Sequence, residues 1–290
     1  MSALGARIDG RVTTGAIEIH YRVEGDGPET VVLVNGIGDD LEAWLLQVPD
    51  LLAAGLRVVS FDNRGLGGSS KPAGPYTSRQ GASDARAVVE TVGLESFHLV
   101  GYSMGGLIAL EYALAFPAGL RSLVLANTYA APDSYTRDIL ESWSAILESG
   151  GMAAVMRQMA PWIFSPEFHA AQPEVLAGFI VEMVKTPQTA ESFAAQLAIL
   201  HDHDCSDRLG TIDVPALVLV AESDILIRPA LSRRMLDLLA HGSWASVPGG
   251  HAVMWENPSA WNRAIVEFIG RHGEGPPAAG PGRRDVRKFT

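Results

Sequence analysis

The stretch that most constrains this chain is Phe97-His98-Leu99-Val100-Gly101-Tyr102-Ser103-Met104-Gly105-Gly106, followed at once by the apolar run Leu107 to Phe116. A short β-branched and aromatic segment breaks at a glycine, a serine stands between two glycines, and a helix-forming segment follows. The spacing predicts a strand, a sharp turn and a helix. Gly101-x-Ser103-x-Gly105 in that setting reads as a nucleophile elbow, in which small flanking residues let the turn tighten until the serine hydroxyl is pushed out at the strand end. The turn is strained, so glycine is needed on both sides. The same geometry aims the Met104 amide, backed by a helix N-terminus, at the place where an oxyanion would form.

A serine hydroxyl is a weak nucleophile and needs a base within hydrogen-bond reach, with a third group to orient that base. Chains with such an elbow order the three as Ser, then Asp or Glu, then His. Of the eight histidines, only His251 sits on a glycine-containing loop, Pro248-Gly249-Gly250-His251, directly after a late strand and downstream of every acid candidate. Asp224 lies just past the penultimate strand and is preferred as the acid over Glu222, two residues earlier. Position 127, where an alternative acid could stand after the sixth strand, is Asn. The second oxyanion donor is expected in the loop Asn35-Gly36-Ile37-Gly38 after the third strand, with the Ile37 amide as candidate.

The rest of the chain supplies strands and helices in alternation. Arg11 to Thr14 and Ile17 to Val23 read as a hairpin, and Val31 to Val34 as a strand buried on both faces. Further strands are expected at Arg57 to Phe61, Phe97 to Val100, Arg121 to Leu125, Pro215 to Val220 and Ser243 to Val247. Ser78 is expected to cap a helix that Gly93 stops, Pro229 to open another, and Asn257 to cap the last. The pattern predicts an α/β fold: a mostly parallel, eight-stranded sheet with helices on both faces and the chemistry at the carboxyl ends of the strands. Between residues 130 and 210 the texture changes to proline-punctuated helical stretches rich in Ala, Met, Trp and Phe, a candidate helical lid. The core domain is then 1–129 with 211–273, and 274–290, rich in Gly and Pro, reads as a disordered tail. Lid aromatics such as Trp143, Trp162 and Phe164 are expected to line an apolar pocket over Ser103.

A formal charge of −11 argues against nucleic acid or an anionic membrane as partner. Cys205 is the only cysteine, so neither an internal disulfide nor a cysteine metal cluster can form. His201-Asp202-His203-Asp204-Cys205 crowds its ligand types without metal-site spacing and reads as a solvated polar turn. No metal or cofactor is expected. Met1 to Gly15 shows no signal- or transit-peptide pattern and no run approaches 18 apolar residues, so a cytoplasmic location is expected.

Gly101-Tyr102-Ser103-Met104-Gly105-Gly106, Asp62-x-Arg64-Gly65-x-Gly67-x-Ser69 and Gly250-His251 with Glu256-Asn257-Pro258 together resemble the α/β-hydrolase superfamily over about residues 11 to 272. Within it the chain is similar to the 3-oxoadipate enol-lactonase-like branch. That likeness is carried by Asn35 (where most superfamily relatives have His), Gly74-Pro75-Tyr76-Thr77, Leu125-Ala126-Asn127-Thr128 and Trp162-Ile163-Phe164-Ser165-Pro166-Glu167-Phe168. The resemblance implies a cofactor-free serine hydrolase acting on a small-molecule ester or lactone, with Ser103, Asp224 and His251 as triad. It places Asn35, Val253, Met254 and Trp255 beside the pocket. After the histidine that branch usually carries Leu-Ser-Asn-Val-Glu, whereas here the sequence is Ala252-Val253-Met254-Trp255-Glu256, so this wall of the pocket is expected to differ. A lid with few cations, Arg137, Arg157 and Lys185 before Arg208, points to uncharged, fairly apolar substrates over carboxylated enol-lactones. Carbon-carbon bond hydrolysis, perhydrolysis and non-catalytic ligand binding are the other activities open to such a scaffold.

Overall fold

The computed structural model describes residues 7–185, 188–273 and 286–289. Its sheet strands are β1 (Arg7–Thr14), β2 (Ile17–Glu24), β3 (Glu29–Val34), β4 (Leu56–Phe61), β5 (Phe97–Tyr102), β6 (Leu120–Ala126), β7 (Ala216–Ala221), β8 (Gly242–Val247) and β9 (Val286–Lys288), in the order β1-β2-β4-β3-β5-β6-β7-β8-β9. β1 runs antiparallel to β2, and β2 to β4. Every later pairing is parallel. The helices are α1 (Val48–Ala53), α2 (Ser78–Val92), α3 (Met104–Ala115), α4 (Ser134–Ile163), α5 (Pro166–Ala171), α6 (Pro173–Val184), α7 (Ala190–Asp202), α8 (Pro229–Leu238), α9 (Val253–Glu256) and α10 (Pro258–His272).

Period-two alternation along the buried strands builds two cores. Val32 and Val34 of β3 join one cluster with Val88 of α2, Leu107 of α3 and Leu231 of α8, while Val31 and Leu33 join the other with Leu51 of α1 and Ile265 of α10. The crossover helices thus cover both faces, as parallel strands require. Local signals set most helix ends. Thr77, one residue before the expected Ser78, caps α2 in a reciprocal box with Gln80, because its extended backbone leaves its hydroxyl free to accept the Gln80 amide. Gly93 closes the same helix in the left-handed conformation. Pro258 opens α10, but Asn257 makes no side-chain cap; its amide donates instead toward the Pro248 carbonyl, at 3.4 Å.

Helices α4 to α7 are inserted between β6 and β7. α4 breaks at Gly151, whose φ of +71° a side chain would make costly. Asp133, Ser165 and Thr189 cap α4, α5 and α7 by accepting the amides of Thr136, Phe168 and Ser192. No helix among the described residues is long and apolar enough to cross a membrane.

The sheet differs from the expected eight strands by β9. Most of the predicted disordered tail, 274–285 and 290, lies outside the described residues. Residues 286–288 pair in parallel with β8, and the Phe289 amide donates to the Ser246 carbonyl at 2.9 Å while its ring is buried. A three-residue strand has no periodicity to detect. Its anchor is the single aromatic Phe289 behind a Gly/Pro-rich linker.

Candidate active site

β5 ends at Tyr102 and α3 starts at Met104, so Ser103 alone makes the turn, at φ 54° and ψ −119°. A Cβ at Gly101 would lie 2.4 Å from the Gly105 carbonyl oxygen, and one at Gly105 2.1 Å from that of Val34. The flanking glycines are therefore required sterically. Ser103 Oγ donates to His251 Nε2 at 2.9 Å, and His251 Nδ1 donates to Asp224 Oδ2 at 2.7 Å. Asp224 Oδ1 accepts the Leu226 and Ile227 amides at 2.9 and 2.8 Å, and Oδ2 also accepts Asn127 Nδ2 at 2.9 Å. All three residues are buried. Glu222 faces elsewhere: its carboxylate accepts the Ser246 hydroxyl and lies 3.5 Å from Lys288 Nζ.

Among the described residues neither the Ile37 nor the Met104 amide donates a hydrogen bond, whereas the Gly38 amide donates to Gln196 Oε1 of α7. The loop bearing Ile37 is pinned from behind. Asn35 donates to the Asp39 carbonyl, accepts from the Trp44 indole, and receives Asn63 Nδ2 on its own carbonyl. Asp62 accepts the Leu41 and Gly68 amides, and Arg64 forks onto Asp84, so the glycine-rich segment after β4 braces this loop.

Ser103 and His251 open into a cavity of about 500 Å³ walled by the β3 loop and the inserted helices. That volume suits a small organic ligand. Trp143 and Trp255 line it. Phe164 stacks behind Phe179 and Trp255, which face the cavity in its place. Trp162 packs half-buried against the core outside the cavity. Val253 and Met254 are fully buried in the opposite core, because a single helical turn can present only Trp255 to the cavity. Asn35 is consumed in holding the loop. The expectation that these five residues line the pocket is corrected accordingly. No arginine lines the cavity among the described residues, and Arg157 is exposed outside it.

The turn at 201–205 is only half as expected. His201 is half-exposed and bonded to Asp202, but Cys205 is buried and His203 is buried against the Ser78 hydroxyl at 2.8 Å. No group of three or more His, Cys, Asp or Glu able to hold a metal occurs among the described residues.

A family model described as the alpha/beta hydrolase fold matches residues 29–151. RutD of Variovorax paradoxus, which carries the name of a carbamate hydrolase, is 31% identical over 258 residues, covering 87% of this chain and 96% of its own. The chain belongs to the α/β-hydrolase superfamily. Enol-lactonase from Burkholderia xenovorans is similar in structure at a TM-score of 0.82 and 27% identity, covering 90% of this chain and all of its own. A thermophilic esterase from Thermogutta terrifontis matches at 0.81 and 26%, covering 93% and 100%.

This α/β-hydrolase holds its histidine loop with residues that sequence reasoning missed. Tyr102 donates its hydroxyl to the His251 carbonyl at 2.9 Å, and burial with Asp39, Asp224 and Glu256 nearby keeps that phenol protonated far above its usual range. Glu256 accepts the Ser165 amide and hydroxyl, each at 2.7 Å, and the Gly250 amide at 3.0 Å, tying the end of α4 to the histidine loop. The Glu-Asn-Pro motif signalled a helix start but not this cross-link. Asn127, with a φ of +49°, was legible only as a missing acid, yet it holds the acid that is present.

Proposed function

We propose that this α/β-hydrolase is a serine hydrolase that cleaves a carboxylic ester or lactone through an acyl-enzyme. The observation carrying the reading is the buried hydrogen-bond line Ser103–His251–Asp224, at 2.9 and 2.7 Å, on the floor of a cavity of substrate size. His251 Nε2 takes the Ser103 proton as Oγ attacks the carbonyl carbon, and Asp224 holds the imidazole in the tautomer that can accept it. The Ile37 and Met104 amides stabilise the oxyanion. As it collapses, the bond to the alcohol oxygen breaks and His251 returns the proton to that oxygen. Water, deprotonated by His251, then releases the acid and frees Ser103. None of these steps needs a cofactor or a metal. Helices α4 to α7 act as the lid that shapes the cavity and excludes water. The single buried cysteine suits a cytoplasmic enzyme.

With no arginine in the cavity wall among the described residues to pair a free carboxylate, lactones and esters that lack one are preferred over a carboxylated enol-lactone. The name of the 31% identical relative favours a second acyl class, a carbamate, for the same machinery. The test is Ser103→Ala assayed on aryl esters, a neutral lactone and an aryl carbamate, with a fluorophosphonate probe located by peptide mass. Turnover should fall to background on every substrate and the adduct on Ser103 should vanish. Undiminished turnover would move the chemistry to another residue.

A further inference from the structure

Four carboxylates line the cavity above Ser103: Asp39, Asp40, Glu42 and Glu182. Three have partners. Asp40 Oδ1 accepts the Glu42 amide, Glu42 pairs with Arg22 at 2.8 Å, and Glu182 pairs at 2.8 Å with Lys185, the one cation in the wall among the described residues. Asp39 differs. Among the described residues no donor and no cation reaches its carboxylate, and burial, with Asp40 adding repulsion, raises its pKa to about 7. A Cβ at Gly36 would lie 2.7 Å from Asp39 Oδ2, so this oxygen sits on the loop that carries Ile37. Most of the remaining wall is apolar or aromatic, with Trp143, Trp255, Tyr129 and Phe179, besides Ser103, Thr136 and His251.

Asp39 is half-exposed toward the cavity, so a ligand that fills the cavity strips water from its carboxylate, a cost that is relieved when the ligand supplies the missing charge. A carboxylated ligand would add repulsion, and a neutral apolar one would bury Asp39 still unpaired. An ammonium satisfies the carboxylate, and the aromatic rings elsewhere in the cavity wall attract a cation as well. We infer that Asp39 is a specificity-determining residue, and that this cavity selects substrates carrying an ammonium group close to the scissile carbonyl. The inference rests on reading the cavity as the acyl-transfer site, and it narrows the substrate class from those without a free carboxylate to those that carry a cation.

The test separates the two readings by using binding rather than turnover. Phenyltrimethylammonium, charged at every pH, is titrated calorimetrically into Ser103→Ala and into the same protein carrying Asp39→Asn or Asp39→Glu. At pH 8.0 the single variant should bind at least tenfold more tightly than the Asn double variant, while Asp39→Glu, which keeps the charge, should retain most of the affinity. At pH 5.5, where Asp39 is protonated, the tenfold advantage should shrink to under threefold. Asp40, Glu42, Glu182, Lys185, Tyr102 and His251 also face the cavity, so the Asn variant measures their share of the pH effect. Equal affinity with and without the Asp39 charge, or no binding at millimolar probe, overturns the inference. Ester turnover that survives Ser103→Ala would instead overturn the acyl-transfer reading.

Discussion

Replacing Asp224 with Asn keeps the shape of the side chain and inverts its hydrogen bonding. Four donors converge on the carboxylate: the Leu226 and Ile227 amides on Oδ1, and Asn127 Nδ2 with His251 Nδ1 on Oδ2. The backbone amides cannot reverse roles, so the single oxygen of an Asn must take the Oδ1 position and its NH2 must face Asn127 and His251. Asn127 can adapt by a flip, because its own Oδ1 is buried without a partner and would accept from the new amide. His251 can adapt only by moving its proton to Nε2, and in that tautomer it donates toward Ser103 and cannot accept the serine proton. A wrong-tautomer histidine costs around 10⁴ in rate in the serine-protease example, equivalent to about 5.5 kcal/mol of transition-state stabilisation. Because both partners find new hydrogen bonds, the folded state should lose only ~1 kcal/mol. The assay is kcat/KM for an aryl ester with thermal melts alongside, and Glu222→Gln, whose carboxylate meets Ser246, as control. Asp224→Asn should fall about four decades with a nearly unchanged melt, and Glu222→Gln should stay within threefold. Loss in Glu222→Gln and near-normal rates in Asp224→Asn would refute the assignment.

Two further outcomes follow from a buried histidine and a half-buried carboxylate. His203 is held neutral by burial, which lowers its pKa to about 4 from the ordinary histidine value of 6.5; since the unfolded chain takes up this proton first, stability should fall as pH drops from about 6.5 toward 4. The loss should be roughly 2–3 kcal/mol by pH 4.5 in urea melts, and His203→Asn should flatten that part of the profile. Glu256→Gln removes an acceptor shared by the Ser165 amide, the Ser165 hydroxyl and the Gly250 amide, so stability should drop by about 1–3 kcal/mol. The loosened His251 loop should lower kcat about tenfold with little change in KM, and an equal rise in KM alone would argue against a positioning role.

The fold was legible where one local rule dominated. Buried parallel strands read as continuous apolar runs, as in Val31 to Val34, and Gly93 stops its helix for a reason contained in its own backbone. The elbow was legible for the same reason: the contacts that require Gly101 and Gly105 lie within a few residues or on the neighbouring strand. The ninth strand was hidden because only Phe289 commits those residues to the sheet edge, after a linker without pattern. The inward turn of His203 was hidden because its partner, Ser78, is 125 positions away.

The same distinction separates the chemistry of the site from its selectivity. Ser103, Asp224 and His251 stand at strand ends, and a parallel sheet brings its strand ends together whatever the intervening chain does. Their convergence is therefore dictated by topology, which alternation in the sequence reveals. The cavity wall has no such rule. Trp255 faces the cavity while Val253 and Met254 are buried because of where one short helical turn falls, and Phe164 is screened by Phe179 because α6 packs across it. Asp39 had no motif to mark it. What distinguishes it from Asp40 is that no donor among the described residues reaches it, a property of several elements folded together. A chain of this superfamily can thus keep its reaction fixed by a few strand-end residues while its substrate changes through loop and helix positions that carry no local signature. Here those positions leave one carboxylate in the cavity without a partner among the described residues.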